Sequence, residues 1–152
     1  MLDSIDRRML AILQEDGRVT NQELSEKVGL SPTPCLRRLK RLEETGVIRG
    51  YAAIVDPKAY GLPFSVFVSV RLSQQTQENI AEFEKAVESW PEVTECYLMT
   101  GSQDYHLRVL SDGIEGYERF LQLKVTRLKC IQSVESNFAL AIIKKRNGLP
   151  PT

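Results

Sequence analysis

The apolar residues of this chain keep a helical period through its first third and break it first at Phe64, and that first change constrains the fold more than any other feature. Up to Leu42 they recur every three or four positions, whereas from Phe64 to Leu72 they alternate, with Phe64, Val66, Val68, Val70 and Leu72 on one side and Ser65, Phe67, Ser69 and Arg71 on the other. A period near 3.6 draws a stripe along a helix, and a period of two draws a face on a strand. A helical N-terminal part therefore precedes a part built on a sheet, and the fold class is α+β.

Three short helices are predicted in the first fifty residues. The first carries Ile5, Met9, Ile12 and Leu13 and stops at Gly17. Thr20-Asn21-Gln22-Glu23 is a capping box, with Val19 and Leu24 as a hydrophobic staple, so a second helix starts near Asn21 and ends at Gly29. Ser31-Pro32-Thr33-Pro34 opens a third, because the first turn of a helix has no internal acceptor for its N–H groups and tolerates proline. On a helical wheel Cys35, Leu36, Leu39 and Leu42 share an arc of about 120° and form the core face. Thr33, Arg37, Arg41 and Glu44 point the opposite way, with Arg38 and Lys40 on the flanks.

A glycine turn between helices two and three and a basic outward face on helix three give the pattern of a helix-turn-helix. Leu24, Ser25, Val28, Gly29, Leu30 and Cys35 fit it, and Arg38 departs from it where an apolar residue is usual. Such a third helix fits the major groove, and its arginines can bond guanine O6 and N7 or a phosphate. The DNA-facing set is expected to be Ser31, Thr33, Pro34, Arg37, Arg38, Lys40 and Arg41.

Charge supports that placement. Twenty basic and twenty acidic residues cancel over the chain, yet residues 31–50 carry a net +3 and residues 74–104 a net −6. A basic patch on an otherwise neutral or acidic body is the footprint of a confined anion-binding surface. After Gly46, residues 47–55 have strand composition and are expected to form a wing or hinge strand, followed by the turn Asp56-Pro57-Lys58.

In the remaining ninety residues the strand Phe64–Leu72 is followed by a helix at 77–90 through Ile80, Phe83, Val87 and Trp90. Strands are expected at 93–100 and 105–111, a helix at 114–128 through Ile114, Tyr117, Leu121 and Leu128, and a last strand at 134–144. The order βαββαβ is the ferredoxin-like unit. Two helices cover one face of such a sheet. The other face, with Phe67 on it and a last strand apolar on both sides at 138–143, is expected to be buried in a homodimer.

Several functions are excluded or disfavoured. Three scattered cysteines, Cys35, Cys96 and Cys130, fit buried free thiols rather than a disulfide or zinc framework. One histidine, His106, reads as an ordinary strand residue, and no nucleophile with an adjacent base and no phosphate-cradling loop is visible. Neither an enzyme nor a cofactor is expected. No run approaches the roughly 20 apolar residues of a bilayer span, so no membrane partner is expected. MLDSIDRR carries no signal-peptide apolar stretch, and a cytoplasmic, nucleoid-associated location follows as an expectation.

With these residues placed, the chain resembles the leucine-responsive regulator / AsnC family of transcription factors. The resemblance runs over nearly the whole chain: Leu2-Asp3, Ile5-Asp6, Asp16-Gly17-Arg18, Glu23-Leu24-Ser25, Val28-Gly29-Leu30-Ser31-Pro32-Thr33-Pro34-Cys35, Arg41-Leu42-Glu43, Gly50-Tyr51, and Gly101 with Asp104-Tyr105. It implies a sequence-specific transcriptional regulator that binds a double-stranded DNA operator, assembles as a homodimer and further to a tetramer or octamer, and in many members answers to an amino-acid effector. An architectural protein that compacts DNA without sequence preference is the alternative. Within this scheme residues 1–50 are the winged-type helix-turn-helix domain, 51–62 a hinge strand and linker, 63–146 the ferredoxin-like dimerisation and effector domain, and 147–152 a tail.

The effector site is expected at Gly101, Ser102, Gln103 and Asp104, where hairpin N–H groups can donate to a ligand carboxylate and Asp104 can face its ammonium. Two positions depart from the family pattern. Ser102 stands where an acid is frequent, and Leu128-Lys129-Cys130-Ile131 stands where a Leu-Pro-Gly-Val turn is common.

Overall fold

Helices α1 (Ser4–Glu15), α2 (Asn21–Val28) and α3 (Pro32–Glu44) come first in the computed structural model, which describes residues 1–146 and 148–150. Asp3 caps α1 in a capping box with Asp6, and Thr20 caps α2 in the box with Glu23. Each such cap is worth about 1 kcal/mol. Ser31 stands at the N-cap of α3 but makes no side-chain cap bond, and the proline start alone sets that end.

Gly29 makes the turn of the motif. Its φ of 74° is left-handed, and its N–H and that of Leu30 return to the last turn of α2. The small Ser25 is buried beneath, donating to the Gln22 carbonyl at 2.7 Å. Met9, Leu24, Val28 and Cys35 form the buried centre of this unit. Leu36, assigned to the core face by its place on the wheel, is instead 41% exposed, because Cys35, Leu39 and Leu42 already fill the side that α1 and α2 cover.

Residues 47–55 form no strand. Their composition suits one, but a strand needs a ladder, and none of the four strands pairs with them.

The sheet consists of β1 (Phe64–Leu72), β2 (Val93–Leu98), β3 (Tyr105–Ser111) and β4 (Ile131–Phe138), antiparallel in the order β2-β3-β1-β4. Helices α4 (Gln77–Glu88) and α5 (Ile114–Leu123) complete the βαββαβ order. Val66, Val68, Val70, Leu72, Tyr105, Leu107 and Val109 face Phe83, Val87, Trp90, Tyr117 and Phe120 in one core. Trp90 packs edge-on against Phe83 and Phe120, with ring centroids at 6.4 and 5.4 Å.

Three expectations need correction here. The helix expected at 114–128 ends at Leu123 and gives way to a 3₁₀ turn, Val125–Arg127. Ile114 at its start is 58% exposed, and Phe120 takes the core place instead. The last strand stops at Phe138, since beyond Ser65 and Phe64 the partner strand runs into Pro63, which has no N–H to donate. Leu140, Ile142 and Ile143 therefore lie outside the sheet and are exposed. Cys35 and Cys130 are buried, but Cys96 is exposed because β2 is an edge strand.

The chain falls into two units, one of Met1–Ile54 with the described residues from Ile143 onward, the other Val55–Ile142. It passes between them twice. Of the tail expected at 147–152, residues 147, 151 and 152 lie outside the described residues. The remainder is not free, since the Leu149 N–H donates to Gln14 Oε1 on α1.

Candidate nucleic-acid interface and ligand pocket

The outward face of α3 follows from its inward one. With Cys35 and Leu42 buried, residues 33, 37, 40, 41 and 44 must face away, and Thr33, Arg37, Lys40, Arg41 and Glu44 are all exposed. They line a surface concavity of about 660 Å³ together with Leu36 and Arg38. Among the described residues neither Arg37 nor Lys40 is ion-paired, so both ammonium and guanidinium are open to an external anion. Ser31 is exposed and Pro34 half-buried at the start of the helix. Asn21 Nδ2 donates to the Pro32 carbonyl at 3.0 Å and ties that start to α2.

Arg38 and Arg41 are placed differently from the rest of the expected DNA-facing set. Arg38 Nη1 reaches Asp3 Oδ2 at 2.6 Å and Asp6 Oδ1 at 3.0 Å, and Arg41 Nη2 reaches Asp6 Oδ2 at 2.6 Å. Arg38 is thus directed inward, away from the outward flank, while half of the Arg41 side chain remains exposed. The departure of Arg38 from the apolar pattern was the sequence signal for this cluster. Its acidic partners, Asp3 and Asp6, lie some thirty-five residues earlier and were missed.

Burial works to raise the Asp6 carboxyl, but the Asp3 N–H and the two guanidinium groups outweigh it and hold the group below its ordinary value of 3.8. Asp3 is lowered as well, by the Asp6 N–H and then by Arg38. A depressed folded-state value adds stability above the unfolded value, and that stability is lost as pH falls through the folded one. A carboxyl-carbon NMR titration is expected to place both midpoints below 3.8, with the α1 signals perturbed only in that acid range. A midpoint for Asp6 at or above that value would contradict the ion-paired geometry.

The second candidate site lies at the β2–β3 hairpin. Ser69, Met99, Thr100, Ser102, Gln103, Tyr105 and His106 surround a cleft of about 210 Å³. Gln103 Oε1 is buried with no hydrogen-bond partner among the described residues. His106 stacks on Phe67 at 5.7 Å and meets Ser69 Oγ at 3.3 Å. Sequence reasoning found Ser102 and Gln103 but not the walls that β1 and β3 supply, because cross-strand neighbours depend on register. Gly101 serves the turn itself, at a φ of 119°, with open space around its Cα.

Asp104 corrects the expectation of a free counter-charge. It is buried, and its carboxylate accepts the Leu72 N–H at 2.7 Å and the Gln75 amide. It belongs to the scaffold of the hairpin and not to the cleft lining.

A helix-turn-helix unit with an open basic face, joined to a four-stranded α+β domain with a cleft, defines a two-domain DNA-binding regulator. The chain belongs to the Lrp/AsnC family of transcriptional regulators. Its residues 65–149 match the family model described as Lrp/AsnC ligand binding domain, and residues 2–49 match that described as winged helix-turn-helix DNA-binding. The Bkd operon transcriptional regulator of Pseudomonas aeruginosa is 42% identical over 98% of this chain and 97% of its own length. The leucine-responsive regulatory protein of Escherichia coli strain K12 is 38% identical over 97% of this chain and 90% of that protein. Among solved structures, a transcriptional regulator of Neisseria meningitidis in complex with L-Met superposes with a TM-score of 0.95 at 39% identity, covering 99% of this chain and 97% of that one. Escherichia coli AsnC superposes at 0.88 with 27% identity, covering 96% and 97%. Among the described residues no helix is long and apolar enough to cross a membrane.

Proposed function

We propose that this regulator reads a specific DNA operator through Thr33, Arg37, Lys40 and the free edge of Arg41, and that a small amino acid bound at the hairpin cleft modulates that binding. The observation that carries the DNA reading is the unpaired, exposed cationic pair Arg37 and Lys40 at the centre of the outward face of α3. Thr33, one turn earlier, is the group nearest the base edges, and Ser31 and Pro34 flank it on the first turn that Pro32 opens. Arg38 supports the face from within.

The effector reading rests on the cleft, on the orphaned Gln103 Oε1 inside it, and on the amino acid held by the Neisseria relative. Ser102, Gln103 and the Gly101 N–H are the groups that would hold the ligand's polar ends. Pairing of the open sheet face with a second copy accounts for the half-buried Phe67 and the exposed Tyr97 on the strands themselves. The relatives are transcriptional regulators, which supports a non-enzymatic role. A regulator of this kind works in the compartment that holds the DNA.

Operators selected from a random duplex pool test the reading. Arg37→Ala is expected to weaken operator binding by about 1–3 kcal/mol if Arg37 bonds a guanine. Unchanged affinity in both the Arg37→Ala and Arg41→Ala variants would overturn the assignment. A wild-type chain that binds random and selected duplexes equally would be a compacting protein instead. In the same assay one of the twenty amino acids is expected to shift operator affinity, and the operator to shift amino-acid affinity by the same factor.

A further inference from the structure

The buried acid beneath the DNA-facing helix has no part in the reading above. Asp6 is 0% exposed, at the third position of α1, and three groups converge on its carboxylate. The Asp3 N–H donates to Oδ2 at 3.1 Å, Arg41 Nη2 donates to the same oxygen at 2.6 Å, and Arg38 Nη1 donates to Oδ1 at 3.0 Å. The Asp6 N–H in turn donates to Asp3 Oδ1 at 2.8 Å, and Asp3 Oδ2 accepts from Arg38 at 2.6 Å. The carboxylate is therefore pinned by the backbone of the first turn and cannot follow a moving arginine. Arg38 and Arg41, three residues apart, converge on it from one flank of α3.

We propose that Asp6 is a positioning residue for DNA recognition, holding Arg41 by one N–H so that the rest of its guanidinium fork is presented to the duplex in a fixed orientation. The proposal rests on the assignment of the α3 face to DNA. Two features of the geometry carry it. First, the Arg41 side chain is half exposed although Asp6 is wholly buried, so its guanidinium bridges the interior and the surface. An arginine has five N–H donors in a rigid planar fork, and anchoring one edge sets the direction of the other. Second, two carboxylates face two guanidinium groups, so the cluster is neutral. Held in this way Arg41 adds little to the long-range attraction of any DNA, and what it offers is a directed hydrogen bond. Its rotamer freedom is already spent before the duplex arrives.

Neutralising the acid should therefore separate affinity from discrimination. Asp6→Asn leaves a single neutral acceptor where the carboxylate took three N–H groups, so it loosens Arg41 and adds one positive charge to this surface. With the full chain, a duplex selected from a random pool by the wild type and a scrambled duplex of the same composition, the expected result has two parts. Scrambled-duplex affinity is unchanged or higher, with a log–log salt slope steeper by about one. Selected-duplex affinity falls at least tenfold, so the ratio between the two collapses. Arg41→Lys, whose site is half exposed and tolerates the change, keeps the charge but loses the fork and should also lose discrimination. The double variant should then be no worse than Arg41→Lys alone, because Asp6 acts through Arg41.

Equal losses on both duplexes, or strictly additive effects in the double variant, would make Asp6 a structural residue and overturn the proposal. If Asp6→Asn proves unfolded by circular dichroism, Arg41→Lys decides: undiminished discrimination there overturns it. Arg37→Ala, which touches neither acid, separates the two levels. Should Arg37→Ala weaken the selected duplex while Asp6→Asn leaves the ratio intact, positioning fails alone. Selected-duplex binding that survives both Arg37→Ala and Arg41→Lys removes the α3 reading itself.

Discussion

Replacing Phe83 by alanine should lower the stability of the sheet domain by about 3–5 kcal/mol, a large part of what a domain of this size possesses. The ring is 0% exposed at the centre of the core. It lies 4.5 Å from the Tyr105 ring and 6.4 Å from that of Trp90, so truncation removes aromatic contacts from the α4 side and the β3 side together. Helix α4 cannot settle into the gap, because Val87 on the same face already rests on the sheet. The chain has one tryptophan, and Trp90 belongs to this cluster, so its fluorescence during urea unfolding reports this domain. The midpoint should fall with an unchanged slope, the signature of lost stability without an altered unfolded state. A loss below about 1 kcal/mol would mean that the core collapses around the cavity.

Asp104→Ala should cost about 3 kcal/mol in the same measurement. The carboxylate accepts the N–H of Leu72, a residue 3% exposed, so its removal strands a buried donor and also releases the Gln75 amide. The main chain of Asp104 is engaged too, donating to the Val70 carbonyl at 2.9 Å and accepting from the Met99 N–H at 2.8 Å. Asp104→Asn keeps an oxygen able to accept the Leu72 N–H and should lose about half as much. An alanine variant as stable as the wild type would return Asp104 to the role of a free counter-charge.

Asp104 also shows where reading a sequence stops. Periodicity is a local signal, and it located β1, β3 and α4 because each carries its own apolar rhythm. The same holds for Gly29 and for Thr20 with Glu23, where three or four consecutive residues contain the whole interaction. Asp104 and Leu72 are 32 residues apart, and nothing near either marks the pair. The Asp6 cluster is hidden for the same reason, except that Arg38 betrays it by occupying a place an apolar residue usually fills. Residues 47–55 fail in the other direction. Their composition is that of a strand, but composition cannot supply the second strand that pairing demands. The cleft at the hairpin was half legible, since Ser102 and Gln103 lie in the hairpin and Ser69 and His106 arrive through cross-strand register.

The two passages of the chain between its units change what counts as a removable piece. A gene cut after Ile54 encodes the three helices but leaves Gln14 without the Leu149 N–H that it accepts, and opens to water the side of α1 on which Gly148 rests. Such a fragment is not the DNA-binding unit as it stands in the intact protein. Nor is the ligand-binding half a simple C-terminal piece, because it ends at Ile142 and the chain then returns. A fluorophore attached at Leu149 consequently sits on the DNA-reading unit and would report on the operator rather than on the effector.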